Sequence, residues 1–169
     1  SNIKINNLIL KYPESMRHGR STYQKEVDDI NSYKDRYKAI DYIISQCKPE
    51  ENVLILITKI DYLREVKMYI ESKFKQRKVY EIYGATDGEA REEIRKRLEQ
   101  ESGAVLVASY GTFSTGANVK KLHHVVLFSS YKSQIKILQS IGRGLRKHES
   151  KECMILWDVV DNLIYSDGR

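Results

Sequence analysis

Cysteine and proline are nearly absent from this chain, with two of each among 169 residues. Cys47 and Cys153 stand far apart with neither CxxC nor Cys/His ligand spacing, so no zinc site and no disulfide framework is indicated, and both are read as buried free thiols. Scarce proline and only nine glycines exclude the collagen-like and Pro/Gly-rich disordered classes. No apolar run is long enough to cross a bilayer and no basic-then-apolar leader opens the sequence, which makes the cytoplasm the expected compartment and a membrane an unexpected partner. Internal repeats and low-complexity tracts are missing as well. So are a GxxxxGK[ST] loop and a DExx-type carboxylate pair, the parts with which P-loop enzymes hold nucleotide phosphates and Mg2+. By itself, therefore, the chain is expected to be inactive as an ATPase.

What is present is a balanced globular composition, 41% hydrophobic and 31% charged, of a length that suits one domain, or one domain with a modest amino-terminal extension. Lys and Arg outnumber Asp and Glu by 29 to 23, giving a net charge of +6 and an attraction to polyanions such as nucleic acid or anionic lipid. A merely solvated lysine surface would have the same composition, so the choice falls to motifs.

From about Asn52 onward, short β-branched runs alternate with charged amphipathic stretches, the pattern of an α/β fold with a mostly parallel central sheet flanked by helices. Val53–Ile57, Ala104–Ala108, His124–Phe128 and Cys153–Trp157 lack polar alternation and read as strands buried on both faces; Val79–Tyr83 is a less apolar fifth. Between them, Asp61–Lys75 places Leu63, Val66, Met68, Tyr69, Ile70 and Phe74 at largely helical spacing. Asp87 stands where it can cap the next helix, whose Ile94 and Leu98 form an inward i, i+4 pair, and Ser133–Leu145 is a further helical pattern. Tyr33–Gln46 is also helical, and Pro49 follows it as a boundary. The expected division is a connector with its own strand at Leu8–Leu10 over residues 1–31, and the core domain over 32–169.

The most informative segment is Gln139-Ser140-Ile141-Gly142-Arg143-Gly144-Leu145-Arg146. If helical, it sets Gln139, Arg143 and Arg146 at i, i+4 and i+7 on one face, with Leu138, Ile141 and Leu145 on another, so the helix could pack on a sheet while its polar stripe meets a cleft. Two guanidiniums there make a fixed-charge clamp for phosphate oxygens. A second segment, Val107 to Asn118, leaves a strand for a hydroxyl-rich loop containing Ser109, Thr112, Thr115, Gly116 and Asn118. Ligands of open α/β sheets bind at the carboxyl ends of strands, and such loops offer hydroxyls and close amides to phosphates, although the same residues also punctuate ordinary turns. Thr58-Lys59 ends the first core strand and Tyr83-Gly84-Ala85-Thr86 the next, both with groups that could touch phosphate. His123 and His124 precede a strand and are read as structural.

The QxxGRxxR pattern resembles motif VI of superfamily 2 helicases, and the loop ending in Thr115-Gly116-Ala117-Asn118 resembles their motif V, although many relatives carry Asp where Asn118 stands. Thr58-Lys59 occupies the place of motif IV, and Gly84 opens the segment that follows it. Over about Asn52–Asp161 the chain is similar to the carboxy-terminal, second RecA-like domain of these enzymes, and in detail to phage recombination helicases of the UvsW type, as are Leu8-Ile9-Leu10-Lys11-Tyr12-Pro13 and the Trp157-Asp158 ending. That resemblance implies a RecA-like three-layer fold and a role in an ATP-dependent DNA helicase of recombination and repair. Arg143 and Arg146 would then be arginine fingers on the ATP γ-phosphate, with Gln139 orienting the hydrolytic site. Thr115, Gly116 and Asn118 would approach the nucleotide, and Thr58, Lys59, Gly84, Ser109 and Thr112 the nucleic-acid backbone. ATP and Mg2+ would be bound mainly by an amino-terminal RecA-like domain of the same polypeptide, acting as a monomer on branched or forked DNA. The rival expectations are a non-catalytic RecA-like module that binds nucleic acid or protein, and a translocase subunit of a restriction system.

Overall fold

Val53–Ile57 has no polar residue, so a strand there can be accommodated only with both faces covered. The computed structural model, which describes residues 3–12, 33–114, 122–129 and 154–162, covers it on both. Among the described residues there are six strands, β1 (Ile3–Lys11), β2 (Val53–Ile57), β3 (Val79–Ile82), β4 (Val105–Ser109), β5 (His124–Leu127) and β6 (Met154–Asn162). The helices are α1 (Arg36–Ser45), α2 (Ile60–Lys73), α3 (Gly88–Gln100) and the short α4 (Tyr110–Ser114). The strands form one sheet in the order β1-β6-β5-β2-β4-β3, and every neighbouring pair is parallel.

Because successive side chains point to opposite faces, the apolar run of β2 divides between two cores. Val53, Ile55 and Ile57 join Ile40, Ile43 and Ile44 of α1 and Leu63, Val66 and Ile70 of α2 on one side. Leu54 and Leu56 join Leu98 of α3, Tyr110, Leu106 and Leu127 on the other, with Ile94 packed against them. The Ile94/Leu98 pair thus faces inward as its spacing predicts. Met68 departs from the expected stripe and lies 68% exposed, because α2 buries only the face of Leu63, Val66 and Ile70. Asp87 occupies the N-cap position of α3 but its side chain makes no capping bond; its carbonyl instead accepts from Arg91 N–H at 2.9 Å. Cys47 is buried, and burial pushes its thiol up to about 12; Cys153 lies outside the described residues, as does the helical pattern at Ser133–Leu145.

Two strands exceed their sequence signal. β1 extends over nine residues and pairs with β6 from Ile3↔Met154 to Lys11↔Asn162, so the strand expected in a connector belongs to the same sheet as the core. β6 continues past Trp157 to Asn162, through Asp158 and Asp161, whose carboxylates hide it from a search for apolar runs. With all six strands parallel, Tyr12, Thr58, Tyr83, Tyr110, Phe128 and Asp161 fall at one edge, the carboxyl edge.

Candidate functional site

The carboxyl edge is built from the first residues beyond each strand, where the backbone leaves its ladder and must find other partners. Beyond β2, Thr58 and Lys59 are both exposed, and Lys59 takes the N-cap position of α2 with extended backbone. Beyond β3, the turn containing Gly84 is closed by Thr86 Oγ1, which accepts from Tyr83 N–H at 3.0 Å. The Arg91 guanidinium braces this turn, its Nη2 lying 3.3–3.4 Å from the carbonyls of Tyr83, Gly84 and Thr86. Gly84 is exposed, and a β-carbon added there would meet no atom within 4 Å, so the side-chain side of this turn is open.

Beyond β4 the Ser109 and Thr112 hydroxyls meet at 2.8 Å. Thr112 is buried and Ser109 half-buried, so the pair presents Ser109 outward and uses Thr112 as its inner partner. Tyr110, between them, is buried on the α3 side and donates its O–H to the Ser129 carbonyl beyond β5. Asp158 of β6 is half-buried, and burial raises its carboxyl above the ordinary aspartate value.

On the outer half of the edge stands a cluster that sequence reading missed. Arg36, fully buried at the start of α1, pairs with Asp161 through Nε at 3.0 Å and Nη2 at 3.2 Å, donates from Nη1 to Tyr62 Oη at 2.9 Å, and donates from Nη2 to the Phe128 carbonyl. Its guanidinium lies 4.1 Å from the centre of the Phe128 ring. Tyr12, at the end of β1, donates its hydroxyl to the same Asp161 carboxylate and packs its ring 4.5 Å from that of Tyr33. Burial, and next the Asp161 charge, pushes the Tyr12 phenol well above its ordinary value; burial raises Tyr62 to about 12 against the opposing Arg36 charge. Both phenols are neutral near pH 7 and serve as hydrogen-bond partners. The signal in the sequence was Arg36 itself, which shares a helical stripe with Ala39, Ile40, Ile43 and Ile44. A charge on an apolar stripe calls for a buried partner, but not for one 125 residues away.

Of the residues expected to contact ligands, Thr58, Lys59, Gly84, Ser109 and Thr112 therefore lie on one edge of the sheet. Thr115, Gly116, Asn118, Gln139, Arg143 and Arg146 lie outside the described residues. His123 and His124 are engaged at the opposite edge: His123 Nδ1 accepts from Asn52 N–H at 3.0 Å, and His124 Nδ1 accepts from Trp157 Nε1–H at 3.1 Å.

An all-parallel six-stranded sheet with helices on both faces and its hydroxyl-bearing turns gathered at the carboxyl edge is a RecA-like domain. Residues 35–148 match the helicase conserved C-terminal domain. Over 163 residues the chain is 37% identical to the ATP-dependent DNA helicase UvsW of Enterobacteria phage T4, a match covering 95% of this chain and 32% of that protein. The crystal structure of T4 UvsW agrees with a TM-score of 0.78 at 38% identity, over 94% of this chain and 32% of that one. Domain 2 of the DEAD-box helicase Mss116p, solved bound to an RNA duplex, gives a TM-score of 0.65 at 14% identity over 92% of this chain and 54% of that one, a likeness of fold alone. The chain belongs to the helicase conserved C-terminal domain family and is similar to T4 UvsW over nearly all of its own length. It spans about a third of the length of the T4 relative.

Proposed function

We propose that this chain is the second RecA-like motor domain of an ATP-dependent DNA helicase, and that its carboxyl edge is the face it turns to both nucleic acid and nucleotide. The observation that carries this is the gathering of Thr58, Lys59, Gly84 and the Ser109/Thr112 hydroxyl pair at one edge of a sheet whose family membership is established. Hydroxyls, open backbone and an exposed ammonium are the donor set that phosphate oxygens accept from. Lys59 supplies the salt-sensitive attraction, Gly84 allows close backbone approach, and Ser109, held by Thr112, offers an oriented hydroxyl.

Hydroxyl, amide and ammonium donors suit phosphate oxygens, and among the described residues no three His, Cys, Asp or Glu come together as a metal-binding group. Mg2+ and most contacts to ATP are assigned to an amino-terminal RecA-like domain of the same polypeptide, and the chain alone is inactive. Bound between the two domains, ATP supplies the phosphoanhydride whose cleavage powers their relative motion. Thr115, Gly116 and Asn118 face the nucleotide from this side, Gln139 orients the hydrolytic site, and Arg143 and Arg146 stabilise charge on the transferred phosphoryl group. Residues 1–31 form the connector and 32–169 the motor domain, with β1 fastening one to the other. The resemblance to UvsW-type recombination helicases favours branched or forked DNA as the substrate and unwinding or branch migration as the work; a monomer as the working unit and the host cytoplasm as the site complete the proposal.

The assignment is tested by Arg143→Ala and Arg146→Ala in the polypeptide that joins this chain to its upstream domain. Steady-state ATP turnover should fall by about 10³-fold or more, with DNA affinity within a few-fold of normal. Undiminished turnover in either variant removes that arginine from the hydrolytic site.

A further inference from the structure

Where β5 ends, two successive carbonyls lose their strand partners and are taken up from opposite sides of the sheet. Phe128 N–H still donates to Leu56 O at 3.1 Å. The Phe128 carbonyl then accepts from Arg36, which stands on the α1 and α2 side, and the Ser129 carbonyl accepts from the Tyr110 hydroxyl, whose ring belongs to the α3 side. Both donors are held in place. Arg36 is fully buried and its other N–H groups are engaged by Asp161 and Tyr62; Tyr110 is 1% exposed and is the first residue of α4. The result is two hydrogen-bonded groups, Tyr12–Asp161–Arg36–Phe128 O and Tyr110–Ser129 O, that meet through the Phe128-Ser129 backbone and so join the exits of β1, β6, β5 and β4. Tyr110 lies between Ser109 and Thr112, so the second group ends in the turn that carries the hydroxyl pair.

We infer that Tyr110, which bonds the Ser109–Thr112 turn to the exit of β5, and Arg36, which holds that exit to β6, are positioning residues, so that engagement of nucleic acid at the turn is felt by the rest of the motor site. This rests on the motor-domain function proposed above and adds to it the route by which nucleic acid stimulates turnover. A displaced side chain relaxes around a loose contact, but a turn anchored through buried, hydrogen-bonded donors moves with the element it is anchored to. Removing the Tyr110 hydroxyl cuts that link without emptying the core, because the ring remains.

The test uses the polypeptide containing both RecA-like domains, with single-stranded and forked DNA as the stimulating ligands. In Tyr110→Phe, the maximal DNA-stimulated kcat should drop about tenfold or more, while unstimulated turnover, the ATP KM and the Tm stay close to wild type. Arg36→Lys keeps the charge but cannot fork to Asp161 and the Phe128 carbonyl together; it should lose stimulation in the same way and also lower the Tm. Arg143→Ala in parallel reports on the underlying function. If Tyr110→Phe is stimulated normally while Arg143→Ala abolishes turnover, the positioning role is overturned and the motor assignment stands. If both turn over and are stimulated normally, the positioning role is overturned and Arg143 is removed from the hydrolytic site. A loss in Tyr110→Phe that merely follows a lowered Tm, with stimulated and unstimulated rates falling together, marks a structural hydroxyl and also overturns the positioning role.

Discussion

The two edges of the sheet are made from the same six strands and treat their polar groups in opposite ways. At the amino edge the chain satisfies itself. Fully buried Asn52 accepts from Ala104 N–H at 2.9 Å, donates to Glu101 O at 3.1 Å, and its carbonyl takes the N–H groups of His123 and His124, each at 3.1 Å. Arg77 donates to the carbonyls of Glu51 and Lys48 at 2.8 and 2.9 Å. Trp157 Nε1–H occupies His124 Nδ1, which leaves the ring proton on Nε2 facing Glu51 at 3.1 Å. Burial of the Glu51 carboxyl opposes its ionisation, but the Lys48 N–H and His124 outweigh that and hold it below its ordinary value. At the carboxyl edge, by contrast, Thr58, Lys59 and Gly84 are exposed, while the exits of β5 and β6 are clamped by buried Arg36. The lesson is that one edge is finished for stability and the other is left able to meet a ligand, as expected when a parallel sheet places its ligands at strand carboxyl ends.

That contrast can be broken in three places. The largest effect should come from Asn52→Ala, which removes the side-chain acceptor of the buried Ala104 N–H and the donor to the part-buried Glu101 carbonyl and should cost about 3 kcal/mol in denaturant unfolding; a loss under about 0.5 kcal/mol would show the amino edge to be less dependent on its own hydrogen bonds than its geometry implies. Next is Gly103→Ala. Gly103 has φ +74° and a β-carbon there would stand 2.3 Å from the Pro49 carbonyl oxygen, so the backbone must shift and the substitution should cost about 2 kcal/mol. An unchanged Tm would mean that the turn before β4 re-forms at no cost. The smallest change in stability should be at the carboxyl edge: Lys59→Ala should alter unfolding by no more than about 0.5 kcal/mol yet reduce the salt dependence of DNA binding by about one unit of slope. A large stability loss with an unchanged salt slope would reverse the roles of the two edges at this position.

Much of this was legible in the order of residues alone. The uninterrupted Val53–Ile57 run announced a strand covered on both faces, and the spacing of Leu63, Val66 and Ile70 announced the helix that covers one of them. Gly84, Ser109 and Thr112 were picked out because small and hydroxylated residues followed apolar runs, and the parallel topology brings their turns to one edge. Asp158 and Asp161 concealed the length of β6, since a carboxylate inside a strand carries no apolar signal and its acceptance depends on a partner elsewhere. Asp161 finds that partner in Arg36 and Tyr12, neither near it in sequence.

Periodicity and composition, both local properties of the chain, determined that this protein is an α/β domain with buried parallel strands, and its motif spacing determined which loops to watch. Only the tertiary structure decided that β1 closes the sheet beside β6, that Thr112 turns inward behind Ser109, and that a buried guanidinium ties the exits of β6 and β5 together. The reason is physical: hydrophobic patterning specifies which face of an element is buried, whereas a buried charge is stable only beside its particular partners, and these are assembled by the fold from opposite ends of the chain.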